Sequence, residues 1–208
     1  GNLTNASVLR DELEADGHIF QATSDTEVII HLIAKSREGS FVDCVIDALQ
    51  RVVGAYTILA TNGEEIVAVR DPHGFRPLVL GKLGGAYVLA SESCALDIID
   101  AEYVRDVEPG EVVIIDRTGV RSLRPFEDVE PKSCIFEYVY VARPDSVVFG
   151  HSVDEVRKQL GRNLAKVDDV EADIVMAVPD SSNQVALGYS HESGIPFDMG
   201  FIRNHYVG

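Results

Sequence analysis

"AYTILATNGEEIVAVRDPHGFRPLVLGKLGGAYVLAS", Ala55 to Ser91, decides the fold class. Within it "AYTILAT", "EEIVAVRD", "PLVLGKL" and "AYVLAS" are short runs rich in β-branched and aromatic residues, spaced as strands. Asn62-Gly63 and Gly84-Gly85 separate two of the pairs, and both can take the positive φ that tight hairpins require. The expected arrangement is an antiparallel meander. A short helix near "ESCALDIID" and a strand pair around "PGEVVIIDRTGVRSL" continue it. Upstream the period lengthens. "TSDTEVIIHLIAKS" repeats apolar residues at Val28, Ile29, Leu32 and Ile33, and "FVDCVIDALQRV" at Phe41, Val42, Val45, Ile46 and Leu49, so both predict helices lying on a core. Helices packed on an antiparallel sheet make an α+β layer arrangement.

A second pattern starts after "RPFEDVEPKS", which reads as a linker. "SVDEVRKQLGRNLAKV" predicts a helix opened by a capping box of Ser152 and Glu155. "ADIVMAVP" predicts a buried strand, the turn "DSSNQ" leads into the helical "VALGYSHES", and "GIPFDMGFI" closes a β-α-β unit of the parallel-sheet kind. A single unit of this kind leaves a parallel sheet unfinished, so this block is expected to be truncated.

Composition narrows the function classes. A chain of 208 residues with 46% hydrophobic content can bury one sizeable core or two modest ones. No apolar run reaches the length of a membrane span and no secretion leader is legible, so the expected partners exclude a membrane and the default compartment is the cytoplasm. The net charge of −16 argues against nucleic acid, and an anionic small substrate would need a local basic pocket. Cys44, Cys94 and Cys134 are too few and scattered for a disulfide framework.

Read by themselves, Arg70 to Gly81, "RDPHGFRPLVLG", make a turn with a basic edge entering a strand. Asp25, with Ser24 beside it, precedes an apolar helical run and reads as a helix N-cap; Ser181, in a strand-to-helix turn, does too. Cys134 enters the apolar "IFEYVYVA", expected to be a strand, where a lone cysteine is usually a small buried hydrophobe. His18, His31, His151 and His191 have no metal-ligand spacing, and His73 falls inside the turn.

The run from Arg70, with "SES" at Ser91 to Ser93, resembles the glutaminase domain of the class II glutamine amidotransferases. "GNLTN" at the start and "TSDTE" at Thr23 to Glu27 resemble the glutamine pocket of that class. "CIFEYVYVARPDS", "VPDSS", "ALGY" and "GIPFDMGFIRNHYVG" extend the likeness to the glutamine phosphoribosylpyrophosphate amidotransferase family, over essentially the whole chain. Asparagine synthetase and the hexosamine-forming amidotransferase share only the front domain.

The resemblance implies a four-layer Ntn-hydrolase domain over residues 1–130, N-terminally truncated, and the start of a type I phosphoribosyltransferase domain over 131–208. It implies glutamine, phosphoribosyl pyrophosphate and purine nucleotide inhibitors as partners, a homotetramer as the intact enzyme, and formation of 5-phosphoribosylamine. Carried over by residue, Gly1 supplies an oxyanion-hole N–H and Asp25 receives the glutamine α-ammonium group. Ser181 falls at a position linked with magnesium or nucleotide phosphate, and a turn before a helix can present free N–H groups to an anion; for Ser181 the cap and the anion site stay open alternatives. Arg203 and His205 fall where the family's flexible loop has Lys and Arg. Arg keeps the charge, whereas His keeps it only at lower pH. Cys134 matches the one nearby ligand of the [4Fe–4S] cluster that a subset of the family carries, and one thiolate cannot hold a cluster.

The family's nucleophilic cysteine would lie upstream of Gly1 and its phosphoribosyl loop beyond Gly208, so the isolated chain is expected to be inactive. A non-catalytic module that binds glutamine or nucleotide is the competing expectation, and another class II amidotransferase such as asparagine synthetase is a third.

Overall fold

The computed structural model describes residues 2–204 and Tyr206. It divides into two compact units, Gly1–Ser91 with Ala101–Ser133, and Glu92–Asp100 with Cys134–Gly208. The change of unit falls at Ser133, three residues beyond the expected 130, and the segment 92–100 goes with the second unit.

In the first unit β1 (Asn2–Leu3) leads into α1 (Ala6–Ala15), α2 (Glu27–Lys35) and α3 (Phe41–Gln50). Each helix buries one stripe: Leu9 and Leu13 from α1, Val28, Ile29 and Leu32 from α2, Val42, Val45, Ala48 and Leu49 from α3. Ser40 caps α3, its hydroxyl accepting from Asp43 N–H at 3.1 Å. β2 (Gly54–Ala55) then pairs antiparallel with β1, placing Leu3 opposite Gly54. That pairing requires glycine. A Cβ on Gly54 would lie 2.3 Å from the Asn2 carbonyl oxygen, and its φ is +144°.

The expected meander is instead two sheets. β3 (Thr57–Thr61) and β4 (Ile66–Arg70) form a hairpin, as do β5 (Val79–Leu83) and β6 (Ala86–Ala90). After the short α4 (Cys94–Ile98) come β7 (Glu102–Asp106), β8 (Val112–Asp116) and β9 (Gly119–Leu123). β4 pairs with β8, giving the order β3-β4-β8-β9, while β5 lies between β6 and β7 in the other sheet. The reason is burial on both faces of β4: Val67 and Val69 point into the core shared with the three helices, and Ala68 points into a second core with Leu80, Val107 and Val113. Helices, sheet and second sheet are therefore successive layers of one α+β unit.

In the second unit the stretch after Cys134 is not a strand. Glu137–Val141 form a π-helical turn, followed by the small ladder of β10 (Val147–Val148) and β11 (His151–Ser152). The cause is Arg157, 1% exposed, whose guanidinium donates to the carbonyls of Tyr138 at 2.5 Å and Ala142 at 2.8 Å. Those carbonyls are thereby withdrawn from any sheet ladder. α5 (Val153–Val167) begins at Ser152, whose hydroxyl accepts from Glu155 N–H at 3.4 Å; the Glu155 carboxylate faces Lys158 at 3.5 Å, so half of the expected capping box forms. α6 (Asn183–Ser193) ends at Gly194 with φ +76°, a left-handed C-cap. The expected β-α-β unit is present in reduced form: its parallel pairing is a single bridge, Val175 to Phe197, flanked by hydrogen bonds from Val175 N–H to Pro196 and from Asp198 N–H to Val175.

Candidate functional site

In the first unit the chemistry gathers where β1 meets the loop ahead of α2. Asp25 is not the cap of that helix, since Thr26 occupies the N-cap position. Its carboxylate turns back and accepts the Leu3 N–H at 2.9 Å. One oxygen is thus committed to β1, and a carboxylate keeps acceptor capacity for a cationic group. Asp25 is half-buried. Gly1, the other residue expected to bind glutamine, lies outside the described residues, one step before the β1 strand that Asp25 holds.

The loop that delivers Asp25 is built by side chains. Glu27 accepts from Gln21 N–H at 2.8 Å and Ala22 N–H at 2.9 Å, and these two donors hold its carboxyl below the usual range. Arg10 of α1 donates to the carbonyls of Ala22 at 2.9 Å and Ser24 at 3.4 Å, and its guanidinium covers the Phe20 ring at 4.1 Å. His18 and His31 meet through their Nδ1 atoms at 3.1 Å. Sequence reading passed over Arg10 and this histidine contact, and took Glu27 only as the last residue of "TSDTE".

The Arg70 to Gly81 turn, by contrast, is scaffold. Arg70, 5% exposed, donates to the carbonyls of Arg76 at 2.8 Å, Val107 at 2.7 Å and Gly74 at 2.7 Å. Asp71 is fully buried, and its carboxylate accepts from Phe75 N–H at 3.2 Å. Burial pushes the Asp71 carboxyl up, and the surrounding N–H groups recover only part of that rise. Gly74 has φ +63° and passes so close to Pro109 that a Cβ would sit 2.7 Å from its ring. His73, inside this turn, meets the expected linker: Nδ1 contacts the Glu130 carbonyl at 3.0 Å and its own carbonyl accepts from Lys132 N–H at 2.8 Å, so that segment is partly docked.

In the second unit an open cleft of about 700 Å³ brings Ser181 and Arg203 together. Arg143 and Arg157 line the same cleft, with Asn183 and Gln184 from the first turn of α6. Ser181 is not the cap of α6; Ser182 is, and its hydroxyl donates to the Val178 carbonyl. Ser181 therefore stands at the cleft wall two residues ahead of the helix. Arg203 pairs with Asp180 at 3.0 Å, and the Pro179–Asp180 peptide bond is cis. Arg143 is itself paired with Asp145 at 2.8 Å, so three arginines stand against two aspartates here, one positive charge in excess on an acidic chain and suited to an anion. His205 lies outside the described residues. The signal for Arg157 was present in the sequence: Val153, Arg157 and Gly161 recur every fourth residue on the buried face of α5, an arginine inside an apolar stripe.

"SES" has its own task in this unit. The Glu92 carboxylate accepts from Arg143 N–H at 2.9 Å and from the Ser146 hydroxyl at 2.8 Å, and Ser93 accepts from Val147 N–H at 2.9 Å. The motif thus holds "RPDSV" in place behind Arg143.

For metals, the described residues contain no group of three or more His, Cys, Asp or Glu side chains able to hold an ion. Cys134 is a half-buried free thiol outside the described lining of the cleft. The described residues therefore do not make an iron–sulfur site by themselves. No helix of the described residues is long and apolar enough to cross a membrane.

Comparison with known proteins agrees with this geometry. Residues 1–97 match the glutamine amidotransferase domain. The whole chain is 53% identical to amidophosphoribosyltransferase, chloroplastic, of Glycine max and 46% identical to the amidophosphoribosyltransferase of Bacillus subtilis, covering 37% and 44% of those proteins. The solved structure of the B. subtilis glutamine phosphoribosylpyrophosphate amidotransferase, complexed with ADP and GMP, superposes at a TM-score of 0.95 over all of this chain and 46% of that one, at 46% identity. The chain thus spans less than half the length of these relatives. Helical layer, paired sheets, the Asp25 loop and the cleft ahead of α6 all fall within that match, so the whole chain is similar to part of the amidophosphoribosyltransferases, and its first 97 residues match a glutamine amidotransferase domain.

Proposed function

We propose that these residues serve an amidophosphoribosyltransferase that takes ammonia from the side-chain amide of glutamine and joins it to the anomeric carbon of phosphoribosyl pyrophosphate. The products are glutamate, pyrophosphate and 5-phosphoribosylamine, the first step of purine synthesis. The observation that carries the reading is the likeness of the entire chain to amidophosphoribosyltransferases at 43–53% identity.

In this reading Asp25, already anchored to β1, receives the α-ammonium group of glutamine, and Gly1 contributes an N–H to the oxyanion formed when the amide is attacked. The nucleophile is supplied by a part of the full-length protein other than these residues. Ser181 and Arg203 face anionic phosphate in the second unit, as ligands of phosphoribosyl pyrophosphate or of purine nucleotides such as those bound by the B. subtilis relative. Magnesium would enter with the substrate's phosphates beside Asp180 and Ser181, since it is commonly held by one or two carboxylates and substrate oxygens. No step is assigned to an iron–sulfur cluster, and Cys134 is read as a thiol that a cluster could use only with ligands from elsewhere.

The test is an assay of the full-length protein in which pyrophosphate release depends on both substrates. Release with phosphoribosyl pyrophosphate and glutamine together, and not with either alone, is the expected outcome. Glutamine cleavage that proceeds with no pyrophosphate formed would assign the chain to a different amidotransferase.

A further inference from the structure

We propose that Arg10 and Glu27 are positioning residues for Asp25, gripping the loop between α1 and α2 so that its carboxylate stands at a fixed distance from β1. The inference rests on the reading of Asp25 as the receptor of the glutamine ammonium group.

The loop from Ile19 to Thr26 has no ladder of its own. Among the described residues none of its backbone N–H groups donates to a backbone carbonyl, although such groups rarely go unpaired. Its two bonded amides, Gln21 and Ala22, both go to the Glu27 carboxylate, and its carbonyls at Ala22 and Ser24 go to Arg10. Ala22 is therefore held on both backbone groups, by an acid on its N–H and a base on its C=O. The two side chains face each other at 3.9 Å, Arg10 25% and Glu27 16% exposed, and they come from different helices. His31, one turn beyond Glu27, extends the grip. Its Nε2 lies 3.8 Å from the Glu27 carboxylate, its ring packs 4.2 Å from Phe20, and Nδ1 meets His18 at the start of the loop. Hydrogen bonds to charged groups are the stronger kind, so two of them at one residue fix a segment that backbone pairing leaves loose.

Asp25 directly follows the gripped stretch. Movement at Ala22 or Ser24 is carried along the chain to the Asp25 carboxylate, and with it to the 2.9 Å bond on Leu3. The Arg10 and Glu27 side chains are committed to the loop backbone, so loss of the clamp is expected to act on glutamine recognition and not on the chemical step.

The experiment measures KM and kcat for glutamine in the full-length protein carrying Arg10→Met, Glu27→Gln, Arg10→Lys or Asp25→Asn, with amide hydrogen exchange at Gln21 and Ala22 as a second readout. The proposal expects Arg10→Met and Glu27→Gln to raise KM at least about tenfold while kcat stays within about threefold, with faster exchange at both amides. Arg10→Lys, which keeps the charge, recovers part of the loss. An unchanged KM in both clamp variants, with Asp25→Asn raising it, would overturn the clamp alone. If Asp25→Asn leaves KM unchanged, the underlying reading of Asp25 fails whatever the clamp variants do. Should Glu27→Gln fold poorly, Arg10→Lys against Arg10→Met carries the same decision.

Discussion

Replacing Gly161 with alanine puts a single methyl group into the crossing of α5 and α6. The added Cβ would lie 1.9 Å from the Val185 carbonyl oxygen and 2.7 Å from Tyr189 N, and the counterpart on Gly188 would lie 2.0 Å from the Lys158 carbonyl oxygen. Every one of these neighbours is backbone, so no rotamer change relieves the clash. Restoring ordinary contact needs the helices to part by roughly 1.5 Å, which loosens the packing along the crossing. Overpacking a core costs about 1–3 kcal/mol, and a clash with rigid backbone belongs at about 3 kcal/mol. For a unit of this size that lowers Tm by about 10–20 °C. Thermal and urea unfolding followed by circular dichroism read it directly, with Gly39→Ala as the control, because a Cβ there meets nothing within 4 Å. A Gly161→Ala protein melting within about 2 °C of the parent would refute the close crossing, and with it the placing of Arg157 and Ser181 by this helix pair.

Two further predictions concern buried charge. Glu111 is 3% exposed; burial alone would raise its carboxyl, but Arg105, Ser122 and the Glu108 N–H together bring it down to about 2 from an ordinary 4.5. A group depressed on folding stabilises above its unfolded value, so about 3 kcal/mol should be present above pH 5 and drain away as pH falls toward 2. Urea titrations across that range should show a flatter slope in Glu111→Gln, and an equal slope would contradict the assignment. Arg157→Met strips two buried carbonyls of their donor and should cost about 2–4 kcal/mol in chemical unfolding; a loss under about 1 kcal/mol would mean the π-helical turn does not need it.

The layer order was only half legible in the sequence. Both hairpins could be read because Asn62-Gly63 and Gly84-Gly85 mark local turns, and local rules govern them. That β4 continues to β8 and not to β5 could not be read, since it depends on which of two cores each face of "IVAVR" finds. Periodicity also misjudged "FEYVYVA": its apolar residues suit a strand, but a buried arginine from another helix claims the carbonyls that a strand would use. For the site, family likeness brought Asp25, Ser181 and Arg203 to attention, and the structure puts the last two on one cleft. The cap readings of Asp25 and Ser181 failed by one residue each: Thr26 and Ser182 hold the N-cap positions, and neither hydroxyl accepts from its helix. Arg10 and Glu27 gave no pattern, because residues seventeen apart become partners only when the loop folds back.

The most direct test follows the amide nitrogen. Full-length protein given glutamine labelled with 15N at its side chain, together with phosphoribosyl pyrophosphate, should place the label on the ribose anomeric carbon and release one pyrophosphate per glutamate. Label found only as free ammonia, with phosphoribosyl pyrophosphate intact, would contradict the account.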